Sequence, residues 1–146
     1  MGLDMFLQGQ SFYWTLEQED NEFMPTIPEP LKDFKFTSMR YEIGYWRKHP
    51  DLHGYIVNRY NDGVDDCEDI RLEKEDIEHL IEIVKQGKTY LETTEGFFFG
   101  NSEQLGYYEK DEIDATVKIF EDALKFIDKH EEMKGCSPTI MYFASW

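Results

Sequence analysis

Basic residues are scarce in this sequence: fifteen Lys and Arg stand against thirty-one Asp and Glu, a formal net charge of −16. A surface of that sign repels nucleic acid phosphates and anionic membranes, so direct binding to either is not expected. Cysteine is scarcer still. Cys67 and Cys136 lie far apart and form no CxxC pair, which excludes a disulfide framework and makes a reducing compartment the simplest setting. No window reaches the ~18 consecutive apolar residues that a membrane span requires. The opening Met1-Gly2-Leu3-Asp4-Met5-Phe6 has no basic stretch followed by an apolar run, so no secretory signal is expected. Phe6 also stands where a myristoylation motif needs Ser or Thr. Gly-x-Ser-x-Gly, P-loop and dinucleotide fingerprints are all missing, which removes the commonest catalytic and phosphate-binding signatures.

Aromatic residues are plentiful, with eleven Phe, nine Tyr and three Trp among 146 residues. They supply the material of one ordinary core, and residues 1–146 are expected to form a single domain. Leu3 to Trp14 reads as a first strand with Gly9 as its bulge. Pro25, Pro28 and Pro30 then mark a surface loop. Phe36 to Trp46 reads as a second strand in which Met39, Tyr41, Ile43 and Tyr45 share one face and Arg40 and Glu42 the other. Pro50 starts a helix to about Tyr60 with Leu52, Tyr55 and Ile56 inward. Asn61-Asp62-Gly63 is turn chemistry, and Cys67 to Leu72 holds a short strand. Ile77, Leu80, Ile81 and Val84 make one amphipathic helix, stopped near Gly87. Ile113, Val117, Phe120, Leu124 and Ile127 make another, with Asp111 as N-cap and Asp114 three residues on. Pro138 to Trp146 reads as a last strand. The fold class expected is therefore α+β: a small, mostly antiparallel sheet of about four strands with about three helices packed on it.

Chemistry has four places to sit. Between Asp62 and Glu78 nine carboxylates face only Arg71 and Lys74. Asp65, Asp66 and Asp69, with Glu75, Glu78 and Glu82 spaced i, i+3, i+7 on a helix, could present a negative ridge that imitates a phosphate backbone; ordinary acidic solvent faces are the plainer alternative. Asp62, Asp65, Asp66 and Asp69 could offer oxygens to a hard cation, but an EF-hand register fails at Tyr60 and Asp69, and Cys and His show no zinc spacing. No metal or cofactor is expected. Arg47, Lys48 and His53 cluster around Tyr45 and Trp46, a candidate anion pocket with rings to stack on a ligand, or simply cations that balance acidic loops. Cys67 lacks a nearby base other than His53, and its acidic neighbours oppose the thiolate, so a buried cysteine at a strand start is expected. Last, Phe97, Phe98 and Phe99 between Gly96 and Gly100 cannot all face inward from a strand, which makes them a candidate interface.

The start Gly2-Leu3-Asp4-Met5, the run Glu42-Ile43-Gly44-Tyr45-Trp46-Arg47-Lys48, and Asp62-Gly63-Val64-Asp65-Asp66-Cys67 together resemble a family of short proteins carried by tailed bacteriophages and prophages. Gly96-Phe97-Phe98-Phe99-Gly100 and the closing Ser145-Trp146 fit the same pattern, and the resemblance covers most of the chain in patches. His49-Pro50 and Phe143-Ala144 depart from it, standing where the family often has Ala-Asn and Arg-Ser. The resemblance implies a phage accessory protein acting in the host cytoplasm, and it carries no activity with it. Three functions follow as expectations: an acidic, non-enzymatic module that binds and inhibits a basic, nucleic-acid-binding host defence protein; a binder of, or enzyme on, a phosphorylated metabolite or nucleotide; and a homo-oligomeric structural helper.

Overall fold

Alternating residues set up the sheet. In β1 (Asp4–Tyr13), Met5, Leu7, Gly9, Ser11 and Tyr13 are buried, while Asp4, Phe6, Gln8, Gln10 and Phe12 stand on the opposite face, as a period of two requires. The computed structural model describes residues 2–14, 23–94 and 100–146. In it β1 pairs with β2 (Ser38–Arg47) on one side and β4 (Cys136–Ser145) on the other, and β3 (Ile70–Leu72) completes the order β2-β1-β4-β3. Every pair is antiparallel.

Three helices cover one face of this sheet: α1 (Pro50–Tyr60), α2 (Lys74–Lys85) and α3 (Lys110–Lys129). Leu52 and Ile56, Ile77 and Leu80, and Phe120 from the three helices join Met5, Leu7, Trp46, Ile70, Leu72, Ile140 and Tyr142 from the strands in one core. The α+β architecture expected from the residue pattern is the one the chain adopts. The other sheet face carries no helix among the described residues.

Two glycines decide how closely α3 lies on the sheet. A Cβ at Gly9 would stand 2.7 Å from Phe126, and one at Gly44 would stand 2.2 Å from Ile119. Gly9 is therefore not the bulge: it pairs regularly with Tyr41 and Ile140. The irregularity is in β2, where Leu7 faces Gly44 and Gln8 faces Glu42, leaving Ile43 as the extra residue. One inserted residue reverses the alternation beyond it. Tyr45 consequently leaves the face it was expected to share with Met39 and Tyr41, and Trp46 turns into the core.

The helix starts also depart from expectation. The N-cap of α3 is Glu109, and Asp111 lies in the first turn, where its charge still favours the positive end of the helix. The capping box belongs to α2: Asp76 accepts the Glu73 amide at 2.8 Å, and the Glu73 side chain accepts an amide in return. Cys67 is exposed rather than buried, because a left-handed turn (φ +62°) places it ahead of β3.

Candidate functional site

Motifs distant in sequence meet at His53. This side chain lies on the inward face of α1, and 2% of it is exposed. Its Nε2 is 2.8 Å from Asp65 and its Nδ1 is 2.6 Å from the Tyr142 hydroxyl. A carboxylate can only accept, so Nε2 carries the proton and, in the neutral ring, Nδ1 accepts from Tyr142. Burial and the Asp65 charge raise the Tyr142 pKa well above its ordinary value, which keeps that hydroxyl a donor. The indole of Trp146 donates to the second Asp65 oxygen at 3.2 Å. Strand, helix, acidic loop and the last residue of the sequence are tied together by one imidazole.

A second network surrounds the start of α1. His49 is its N-cap residue but contributes no side-chain cap; the hydroxyl of Ser102 accepts the Asp51 amide instead, at 3.1 Å. Ser102 in turn donates to His49 Nδ1 at 2.8 Å, and His49 stacks on Tyr107 with ring centroids 4.1 Å apart. Burial pushes the His49 pKa down to about 3, so the ring is neutral and can accept the Ser102 hydrogen bond at Nδ1. The buried carboxylate of Asp51 accepts the Thr94 amide at 3.0 Å and the Tyr108 hydroxyl. Burial and Asp51 both hold the Tyr108 phenol protonated.

The remaining histidines follow the same rule. His130 Nδ1 donates to the Phe126 carbonyl at 2.6 Å, which leaves Nε2 to accept from Ser11 at 2.7 Å in the neutral ring. His79 Nε2 meets the Tyr55 hydroxyl at 2.7 Å. Each of the four histidines thus faces a hydroxyl, three in buried pairs and His79 in a part-buried one. These pairs resemble the nucleophile–base contacts of catalysis, but Ser11, His49, His53, Ser102, His130 and Tyr142 are all buried. Their role here is to satisfy polar groups within the packed layers.

The expected anion pocket is not brought together. Trp46 is in the core, donating to Thr116 at 3.0 Å and tilted against Phe120. Tyr45 is on the opposite sheet face, donating to Asp4. His53 is occupied by an anion of its own, Asp65. The Lys48 stem lies near Gly100, and the Arg47 backbone gives its N–H to, and accepts from, the Tyr107 hydroxyl, at 3.2 and 2.6 Å. That phenol replaces a neighbouring strand at the outer edge of β2, a device that blunts edge pairing. A groove of about 560 Å³ lies instead beside α1, lined by Tyr55, Asn58, Arg59, Tyr90, Glu92 and Thr94.

The acidic residues also separate. Asp65 is drawn inward by His53 and Trp146, Asp66 accepts the Glu68 amide at 3.2 Å, and Asp69 pairs with Arg40 at 2.5 Å. Glu75, Glu78 and Glu82 remain exposed on α2, and at 100° per residue they fall within about 60° of arc. Among the described residues none of the three makes an ion pair, although Glu78 lies close enough to raise the pKa of Lys74, after the larger effect of Asp128. No group of three or more His, Cys, Asp or Glu converges as a metal site among the described residues, and no described helix is long and apolar enough to cross a membrane. Phe97, Phe98 and Phe99 lie outside the described residues.

Comparisons with protein-family models, curated proteins and solved structures return no match. The function must be argued from the residues themselves.

Proposed function

We propose that this chain is a non-catalytic phage accessory protein that docks on a basic, nucleic-acid-binding host protein and blocks it. The observation that carries the reading is the exposed stripe Glu75–Glu78–Glu82. It places three carboxylates in a row along about 10.5 Å of helix, a run of like charge on the scale of a short phosphate backbone segment, though more widely spaced than the ~3.4 Å of axis per charge in one DNA strand. The net charge of −16 steers such a surface towards basic partners. The resemblance to phage proteins makes a host defence enzyme the target class. In pull-downs through host lysate, a basic nucleic-acid-binding protein should be captured at roughly 50 mM salt and lost near 500 mM, because exposed charges are screened beyond ~10 Å at 0.1 M and sooner at higher salt. The triple change of Glu75, Glu78 and Glu82 to Lys should abolish that capture. Unchanged capture by the triple variant would sink the reading.

The groove beside α1 favours a second reading, a binder of small anionic ligands. Arg59 would hold the anion, and Tyr55 and Tyr90 would flank a ring; the volume falls within the ~300–1,000 Å³ common for ligand sites. A nucleotide panel that shifts the melting of the parent protein and not of Arg59→Ala would select this reading over docking.

A further inference from the structure

The geometry points to the helix-free face of the sheet as a self-association surface, seating a second copy of this chain. Its centre is a row of rings in register across three strands: Tyr45, Phe6 and Phe143. Phe6 stacks on Phe143 with centroids 4.8 Å apart and tilts against Tyr45 at 5.3 Å. Phe12, half exposed at 50%, stands on the same face towards the other end of β1, beyond Gln8 and Gln10. Arg40 reaches from β2 across β1 to the Met141 sulfur on β4, at 2.9 Å, and to Asp69. Beneath this layer the Gln8 side-chain oxygen is buried without a hydrogen-bond partner.

Charge selects the occupant. The registers put Arg47 beside Asp4, Glu42 beside Gln8, and Arg71 beside Met141. With Arg40, Asp69 and Glu73, which pairs with Arg71 at 2.9 Å, the described residues of the face hold three arginines and four carboxylates. It is close to neutral in a chain whose formal charge is −16. A basic protein would be attracted to the acidic helical side instead, and a nucleic acid strand would be repelled by the molecule as a whole. A second copy is repelled everywhere except where the surface is neutral and apolar. Arginine with aromatic rings is also the composition enriched in interface centres.

The area suffices for a weak dimer. Strands of ten residues run about 33 Å, and three of them spaced ~4.8 Å apart span about 14 Å. The projected face is roughly 460 Å² per copy, so the pair buries about 1,000 Å² once the side-chain relief is counted, the lower bound for a specific interface. The ring row of one copy would pack on that of the other with the sheets ~10 Å apart.

This surface lies on the opposite side of the sheet from the α2 stripe, and the two behave oppositely with salt. Docking of a basic partner weakens as salt rises, whereas dimerisation of a strongly acidic chain through a neutral face strengthens. Sedimentation of the full chain from about 1 to 300 µM, at roughly 50 and 500 mM salt, should show a species of twice 17.4 kDa, more populated at high salt. Tyr45→Glu and Arg47→Glu, both at exposed positions, should raise the dimer dissociation constant at least about tenfold while circular dichroism stays native. Glu78→Lys should leave the dimer in place. A chain that stays monomeric throughout, or a dimer that survives both face variants, overturns the proposal. So would a basic peptide or single-stranded oligonucleotide that occupies the face in place of the second copy.

Discussion

The pKa of His49 makes a quantitative prediction about acid stability. Burial of the ring lowers its pKa to about 3, against about 6.5 in the unfolded chain. A histidine held neutral by the fold takes up its proton preferentially when unfolded. Stability therefore falls as pH drops below about 6.5, and the loss saturates only near pH 3. Integrating the linkage, acidification from pH 7.5 to pH 5 should cost about 2 kcal/mol through this one group. The chain carries thirty-one carboxylates and three further histidines, so the measurement has to be a difference. His49→Asn keeps an acceptor near the Nδ1 position for the Ser102 hydroxyl and removes the titration. It should be less stable at pH 7.5, having lost the stack on Tyr107, but less sensitive to acid. Urea unfolding of both proteins at pH 7.5, 6 and 5 should show the gap between them shrink by about 2 kcal/mol. A gap that does not change with pH, or a His49 imidazole NMR signal that titrates near pH 6.5 in the folded protein, would refute the reasoning.

Gly44→Ala should destabilise the fold by about 1–3 kcal/mol in denaturant unfolding, since its methyl would press into Ile119 and force α3 away from the sheet; a neutral result would mean that α3 is free to shift. Tyr142→Phe removes the buried hydroxyl that meets His53 Nδ1 at 2.6 Å. A loss of about 1–3 kcal/mol is expected, and Asp65→Asn, which removes the carboxylate on the other side of the ring, should be non-additive with it in a double-mutant cycle.

The elements of the fold were legible because each depends on local pattern. Pro50 and the residues behind it define α1 from its first residue to Tyr60, and the stripe of α2 buries the residues that its spacing selects; in α3 Val117 and Phe120 are buried, while Ile113, Leu124 and Ile127 pack half-buried beside them. Ile70 and Leu72 point into the core as alternation requires. The candidate site was much less legible. A one-residue bulge at Ile43, which no local pattern announces, sends Tyr45 and Trp46 to opposite sides of the sheet and disperses the pocket that their adjacency suggested.

Composition and residue order determined that the chain is acidic, reaches one domain's worth of core, and alternates in the way a helix-backed antiparallel sheet needs. Those are properties of neighbouring residues and of sums. Only the tertiary structure decided which polar groups meet. Ser102 caps a helix that begins 52 positions earlier, at Pro50, Tyr142 finds His53 from 89 residues away, and Arg40 crosses two strands to reach Asp69. The first two pairings follow from the cost of burying an unsatisfied donor or acceptor, and the third, at the surface, from attraction between opposite charges; both constraints act in space and leave no periodic trace along the chain.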